Sequence, residues 1–463
     1  MEKNGLLTNV SILFLTLCCC LFVTGCDEGN KEKTQNSEAL EITDFEPKEV
    51  CAGSRMTIYG ENFGTDVSAL KLKIGGIETP IQKFSDRTLT CLVPLHAYDG
   101  TIELTIGENS IKAPQLFTYV ADTQVRTLCG TVNSAGTSSV KDGSFDECRL
   151  VDPRWMSLDP QNPKHIYMIE NGVGIRMMDL TNRLMSTLLT NQQMNISRPE
   201  SIEWSPDGNT MYISQWQDNS SNNIITLKRD ENFLVPHPIT LGYTYLYTAI
   251  PHPQNGEIYF SDERAGGVYR YDPASGQPPR ELMKFGDWTW LKIFFHPSGD
   301  YAYIVRVREE IIYKCKYNRQ TKTLEAPQPL VGAQGSWGRK EGKGTEARFA
   351  WPWQGVFVEN EEYVKQDAED KYDFYLADPS HEYLADGQGG GNVIWKITPD
   401  GTASIYAGMG GAWLDNLEFG YMDGDLRKDA RFNRPLSLVY DKESKTFYVG
   451  ERGNHRIRYI AVE

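Results

Sequence analysis

An all-β chain is expected from this sequence, with an N-terminal immunoglobulin-like β-sandwich ahead of a six-bladed β-propeller. Three observations carry that expectation. Between residues 150 and 460 one pattern is written six times: an apolar strand, a turn, then a second strand built around a tyrosine, at Tyr167, Tyr212, Tyr259, Tyr303, Tyr375 and Tyr448. Repeats of about 40–50 residues with several short strands are propeller blades, which must stack in a ring because none buries both faces alone. Residues 40–121 instead hold about seven short, non-repeating strands, the pattern of a sandwich. Composition agrees, since 40% hydrophobic residues suffice for packed cores and 11% aromatics suit strands.

Residues 1–25 read as a lipoprotein signal peptide. Lys3 supplies the positive start, and an apolar stretch ends in Val23-Thr24-Gly25-Cys26. These residues resemble the bacterial lipobox, in which small residues precede a cysteine that is acylated and becomes the mature N-terminus. The resemblance implies lipidation at Cys26 and a tether of methylenes buried in the membrane. Asp27 and Glu28 resemble the surface-export signal of glycan-harvesting Gram-negative bacteria. That implies an outer-membrane lipoprotein facing the cell exterior, with the periplasmic face as the alternative. Residues 26–39 are polar and without apolar period, a flexible stalk.

Acidic residues outnumber basic ones by 62 to 47, a net charge of −15. With no Lys/Arg cluster to neutralise phosphates, nucleic acid is not an expected partner. Beyond Cys26 the cysteines are Cys51, Cys91, Cys129, Cys148 and Cys315, and no pair has metal-ligand spacing. Pairing of Cys51 with Cys91, or of Cys129 with Cys148, stays open.

In the first unit, residues 40–121, Thr57-Ile-Tyr-Gly-Glu-Asn-Phe-Gly64 alternates as a half-buried strand and ends in a glycine-bounded turn. Together with Cys91-Leu-Val-Pro94 and Phe117-Thr-Tyr119 it resembles the IPT/TIG family. That resemblance implies a spacer or adhesion module, and a rigid spacer is the reading adopted for it.

The propeller is expected over 122–463, with inner strands beginning near Trp155, Ser201, Ala249, Lys292, Gly355 and Ser437. Three segments carry a fuller lead-in: Asp142-Gly-Ser-Phe145, Gly344-Thr-Glu-Ala-Arg-Phe349, and Asp423-Gly424 with Ala430-Arg-Phe-Asn-Arg-Pro435. With Asn454-His-Arg-Ile-Arg458 they resemble NHL-repeat propellers. Blades two to four depart from that pattern and carry Ser205-Pro-Asp-Gly208, His252-Pro-Gln-Asn-Gly256 and His296-Pro-Ser-Gly299, turns in which Pro presets one φ and Gly takes a positive one. Val125-Arg-Thr-Leu-Cys-Gly130 looks like Ala403-Ser-Ile-Tyr-Ala-Gly408, so the N-terminal strand is expected to complete the last blade and remove two open edges. Residues 359–371 are charged and read as a solvated excursion. Gly387-Gln-Gly-Gly-Gly391 is a loop but not a phosphate loop, because no helix follows it.

Loops entering inner strands and loops joining second to third strands share one propeller face. There the sequence gathers Trp288, Trp290, Trp351 and Trp353 at two neighbouring entrances, with Arg198, Tyr245, Tyr247 and Arg434 at related ones. The other loops add Gln215, Trp216, Asp262, Glu263, Arg264, Arg306, Arg308, Asp378, His381, Glu451 and Arg452. Indoles suit the apolar faces of sugar rings, and guanidinium groups suit hydroxyls and acidic substituents. The candidate ligand-binding set is Trp288, Trp290, Trp351, Trp353, Trp216, Arg264, Arg306, Arg308, Asp378, His381, Arg434 and Arg452. Each of these has a structural alternative: the tryptophans as wedges between blades, Asp378 and Glu451 as caps of backbone amides.

Catalytic signals are weaker. His381 is the one histidine on this face, and no Ser-His-Asp or Cys-His arrangement is suggested. Asp262, Asp378 and Glu451 offer oxygen ligands for Ca²⁺ in the channel, but the arginines among them argue against it, so no cofactor is expected. The expectation is a lipid-anchored surface protein that captures a complex glycan, a polysaccharide or oligosaccharide, for an outer-membrane transporter system. The alternatives are a propeller enzyme, lyase or hydrolase, using the same face, and a protein-docking module.

Overall fold

The computed structural model describes residues 39–218, 223–380, 390–408 and 419–462. The expected signal peptide, most of the stalk, Cys26 and His381 lie outside these residues. Among the described residues, no helix is long and apolar enough to cross a membrane.

The first unit is a sandwich of two four-stranded sheets. One runs Glu41–Glu46, Arg55–Glu61, Thr88–Leu92, Ile81–Ser85, and the other Ile77–Glu78, Leu70–Ile74, Ile102–Ile106, Asn109–Lys112. Alternation decides which faces meet: Met56, Ile58, Leu72, Ile74, Leu89 and Leu104 are buried between the sheets while their neighbours face outward. Burying each such side chain is worth roughly 1.5–3 kcal/mol.

Six antiparallel sheets of four or five strands follow and form the blades of the propeller. Their inner strands are Pro153–Leu158, Pro199–Trp204, Leu246–Pro251, Leu291–Phe295, Gly355–Glu359 and Pro435–Asp441. The repeated tyrosines sit in the second strands, where both faces pack on neighbouring blades; Tyr167, Tyr259, Tyr303, Tyr375 and Tyr448 are buried. Gln354 ties three blades at the axis. Its Oε1 accepts from the amides of Met156 (3.1 Å) and Leu438 (3.2 Å), and its Nε2 donates to Met156 O (2.7 Å).

The ring closes as the sequence predicts. Gln124–Cys129 pairs with the last strand, Arg456–Ala461, with Val125 opposite Ile460 and Thr127 opposite Arg458. The longer lead-ins of blades one, five and six each add a short fifth strand to the outer edge: Gly143–Ser144, Gly342–Lys343 and Gly424–Asp425. The acid before each glycine holds it in place. Asp142 accepts from Arg176 at 3.0 Å, Glu341 from the Ile405 amide at 2.7 Å, and Asp423 from Arg458 Nε at 3.0 Å.

Blades two to four close the far face with tight turns instead. Gly299 has φ 73°, and a Cβ there would meet His252 Cε1 at 2.7 Å, so glycine lets the buried histidine of the preceding blade donate across the gap (His252 Nε2 to Gly299 O, 3.0 Å). Residues 359–371 are not a free excursion. They form the short helix Glu361–Lys365, then return Asp370 to accept from Tyr301 Oη (2.7 Å) and to face Lys314 and His296 at 3.5 and 3.6 Å, a strap from blade five to blade four.

Candidate functional site

Four inner strands begin with a β-bulge on the face that carries the entrance loops: between Pro153 and Trp155, Pro199 and Ser201, Leu246 and Ala249, and Pro435 and Ser437. A bulge inserts a residue and re-aims its side chain. The residues so placed include Arg154, Glu200, Tyr247 and Leu436. Three bulky residues just outside the inner strands also hold left-handed backbone: Tyr245 (φ 56°), Trp288 (φ 61°) and Arg434 (φ 53°). Side chains with a Cβ rarely adopt that region, and each instance costs on the order of 1–3 kcal/mol. Such residues persist where the surroundings hold them and where selection favours the side chain over glycine.

The face has two sectors. On blades two to four an aromatic surface runs from Trp216 to Tyr245 (centroids 4.5 Å apart) and on to Trp288 (5.9 Å). Trp288 is 51% exposed, the open platform of the set. Exposed Arg264 lies over both Tyr245 (5.7 Å) and Trp288 (5.8 Å) and pairs with Asp218 at 3.4 Å, while Arg198 covers Trp216 at 4.6 Å. Buried Glu263 fixes two indoles at once, accepting from Trp216 Nε1 and, at 2.7 Å, from Trp290 Nε1.

The second sector spans blades five, six and one. A pocket there is lined by Arg154, Arg434, Arg452, Ser380, Trp351 and Trp353, with Leu436 beside them. Trp290 joins the sectors through an edge contact with Trp351, 5.3 Å between centroids. Below the pocket an ionic network fills the channel. Glu200 accepts a hydrogen bond from Arg154 (3.3 Å) and is ion-paired with Arg198 (2.6 Å) and Lys292 (3.8 Å), and Arg154 also meets Asp152 at 3.3 Å. Lys292 is fully buried, its ammonium 4.0 Å from the Trp353 ring and 4.7 and 5.0 Å from Trp155 and Tyr247. Burial pushes this ammonium down to about 7, against the pull of Glu200. Trp155 stacks on Phe294 (6.0 Å, 7°), and beyond them a cavity opening toward the far face holds Glu203, whose carboxyl burial pushes up to about 8.

The predicted residues therefore separate by exposure. Trp288, Arg264 and Arg308 are exposed, and Trp216, Arg434 and Arg452 are half-buried. Trp290, Trp351, Trp353 and Arg306 are buried, so three of the four paired tryptophans offer an edge or a pocket wall and not an open stacking face. Of the indoles in the candidate set, Trp290, Trp351 and Trp353 thus fit the wedge alternative better than an open platform. Arg308 covers the Trp290 ring at 5.5 Å, and Arg306 is turned to Glu309 at 3.2 Å. Asp378 is also corrected. It is fully buried and accepts from the amides of Ala350 (3.0 Å) and Trp351 (2.6 Å) and from Trp395 Nε1 (2.8 Å). Burial still raises its carboxyl to about 6, and its work is to hold the Trp351 loop. Glu451 does the same in blade six through the Asn433 amide (2.9 Å) and Arg458 (3.0 Å), and Asp262 in blade three through the Thr244 amide (3.1 Å). These three carboxylates serve their own blades. Among the described residues no group of three or more His, Cys, Asp and Glu side chains is gathered as metal ligands.

Arg154, Ser380, Glu200 and Lys292 escaped the sequence reading because they lie in or beside strands. A signal was present: Pro153-Arg154, Pro199-Glu200, Pro352-Trp353 and Pro435-Leu436 align as Pro-x at or just before the start of the inner strand, and x is the channel-mouth position.

Comparison with known proteins adds three findings. Residues 40–119 match the IPT/TIG domain. The whole fold is similar to a crystal structure described as an auxiliary nutrient binding protein from Bacteroides thetaiotaomicron, at 36% identity over 92% of this chain and 98% of that one (TM-score 0.68). It is similar to another so described from Bacteroides ovatus, at 32% identity over 92% and 99% (TM-score 0.69), and to one described as a putative phosphatase from Bacteroides thetaiotaomicron, at 32% identity over 92% and 97% (TM-score 0.67). Among curated proteins none matches.

Proposed function

The chain belongs to the same family as the auxiliary nutrient binding proteins of Bacteroides thetaiotaomicron and Bacteroides ovatus, and from that premise we propose that it is a lipid-anchored surface protein that captures a complex glycan for outer-membrane uptake. The propeller face is the binding surface, the IPT/TIG sandwich the spacer, and Cys26 the anchor. One observation carries this reading: Trp216, Tyr245 and the half-exposed Trp288 form a run of ring contacts on one propeller face, with Arg264 lying over Tyr245 and Trp288.

The chemistry of the face suits a saccharide. The apolar C–H side of a pyranose covers an exposed indole such as Trp288, and nearby guanidinium groups donate to hydroxyls in pairs. The test is affinity electrophoresis of the purified protein through gels containing a panel of plant, host and microbial polysaccharides, with the same mixtures assayed for new chain ends. Retardation by a subset without cleavage is the expected outcome. Cleavage would replace capture with the enzyme reading, and free migration through the whole panel would remove the glycan.

A further inference from the structure

Two cysteines meet where the ring of blades closes. Cys129 ends the strand that completes blade six, opposite Ile457, and Cys148 follows the short fifth strand of blade one. Their thiols are in hydrogen-bond contact with one another. The backbones are pinned together as well, since Thr131 donates to Cys148 O from its amide (2.9 Å) and from its hydroxyl (3.1 Å). Resting on the surface-lipoprotein reading, which puts the chain in an oxidising compartment, we infer that Cys129 and Cys148 form a disulfide that locks the ring-closing strand to blade one.

The repeat supplies an internal comparison. The longer lead-in occurs in blades one, five and six, so the junction between an outer strand and the next blade's lead-in is built three times. Val331 precedes Gly332 at the end of blade four's outer strand and shares a core with Ala347 of the blade-five lead-in. Ala407 precedes Gly408 in blade five and shares a core with Ala430 of blade six. Cys129 precedes Gly130 and shares a core with Cys148, between Met156 and Met168 of blade one and Val439 and Ile457 of blade six. The three junctions have the same backbone. Gly332, Gly408 and Gly130 hold φ 97°, 107° and 101°, and the residues after Ala347, Ala430 and Cys148 bridge back to Lys340, Met422 and Lys141. The site therefore takes small apolar residues where the chain runs on from blade to blade, and two thiols at the junction that joins its first blade to its last.

The remaining cysteines have other surroundings. Cys51 accepts from Arg126 at 2.7 Å, Cys91 lies in the sandwich core, and Cys315 lies in the core between blades three and four.

Oxidation removes two protons and two electrons from the pair, and the oxidant required is a disulfide-bearing protein of the export compartment. The thiolate of one cysteine attacks that disulfide, giving a mixed disulfide and a thiol on the oxidant. The second cysteine then attacks the protein sulfur of the mixed bond, and the oxidant leaves as a dithiol. Both side chains are buried in the finished fold, so the exchange belongs to the folding chain, before blade one packs on blade six. The bond closes a ring of about twenty residues, most of them in the largely exposed segment 131–142, and removes their freedom from the unfolded chain.

The test counts thiols. Trypsin cuts after Arg126, Lys141 and Arg149, so Cys129 and Cys148 fall in separate peptides, residues 127–141 and 142–149. Protein isolated from cells is unfolded with an alkylating reagent and no reductant, then digested and weighed. The expected result is the two peptides joined, two hydrogens lighter than their sum, with Cys51, Cys91 and Cys315 alkylated. A second arm reduces the unfolded chain and refolds it in a glutathione buffer containing the oxidised form, where the same link should return. Dithiothreitol should leave the bond intact until urea opens the fold. The double variant Cys129→Ala/Cys148→Ala copies the Ala407–Ala430 junction, so it should fold, and it is expected to melt about 5 °C lower than the cross-linked protein. Free Cys129 and Cys148 in acylated, membrane-bound protein would overturn the disulfide and leave the anchor standing. Failure of the pair to link on refolding, or a link between Cys51 and Cys91 in its place, would also overturn it. If the isolated protein carries no acyl mass and free thiols, yet links these two cysteines on refolding, the pairing holds and the lipoprotein reading falls. A link whose removal leaves the melting temperature unchanged would overturn the lock.

Discussion

Trp288, proposed to stack on the ligand, is half exposed and holds a backbone conformation that favours glycine. Trp288→Gly is therefore expected to weaken glycan retention severalfold while leaving the melting temperature unchanged or raised. Relief of the left-handed strain is worth about 1 kcal/mol, and an exposed indole contributes little to the core. A lowered melting temperature with retention intact would make Trp288 a structural wedge. The channel residues make a different test, by pH. Glu203 titrates near 8 in the folded protein against 4.5 for the free side chain, so between those values the unfolded chain has released a proton that the folded one keeps, and stability falls as pH rises. Lys292 titrates near 7 against 10.5, so between those values the unfolded chain holds the extra proton, and stability rises as pH rises. Glu203→Gln should flatten the first window and Lys292→Met the second, each by on the order of a few kcal/mol at most, read from melting temperature against pH. Unchanged profiles would show that water reaches both groups freely.

Elements explain which parts of the site could be read in advance. The entrance loops were legible because Pro-bounded inner strands and Tyr-centred second strands recur, so a residue's place in the repeat gives its face. Exposure was not legible, because Trp288 and Trp290 differ by two positions in the chain yet one lies open and the other is held by Glu263 from the next blade. Asp378 and Glu451 look like ligands in the sequence and cap loop amides in the fold, since a carboxylate at a strand end finds the orphan N–H groups of the loop beside it first. The ring-closing strand is the element with the largest expected effect. Gln124–Cys129 fills the outer edge of blade six and buries Val125, so deleting residues 120–130 exposes strand edges of that blade and removes a row of ladder hydrogen bonds. Loss of roughly 3–5 kcal/mol is expected, felt by the whole propeller as one calorimetric transition about 10 °C lower. An unchanged transition would place the strand's stabilising role elsewhere.

On the scale of the whole molecule, the proposed path runs from the membrane through stalk and spacer to the binding face. The sandwich meets the propeller at the shared edge of blades one and six, where Arg126 donates to Cys51 Sγ (2.7 Å) and Tyr459 fills the space that a Cβ on Gly53 would need. That edge lies on the strands of the ring closure, so the spacer grips the element that locks the propeller. Cys26→Ala is expected to move the protein from the membrane fraction to the soluble fraction and to abolish the mass added by acyl chains. Retention of the variant in the membrane, with no acyl mass on the wild type, would end the lipoprotein reading.

By itself the sequence determined the architecture: the sandwich, the six blades, their order, the closing strand and the face on which function is expected. Those are periodic properties, written in apolar alternation and turn residues that repeat, and repetition survives without knowledge of neighbours. Only the tertiary structure decided which side chains of that face reach solvent, that Arg154 joins Arg434 and Arg452, and that Ser380 and Trp353 bring two buried donors to the same pocket. These properties depend on contacts between blades whose residues lie far apart in the chain, and on bulges and left-handed residues that re-aim a side chain without changing its place in the repeat.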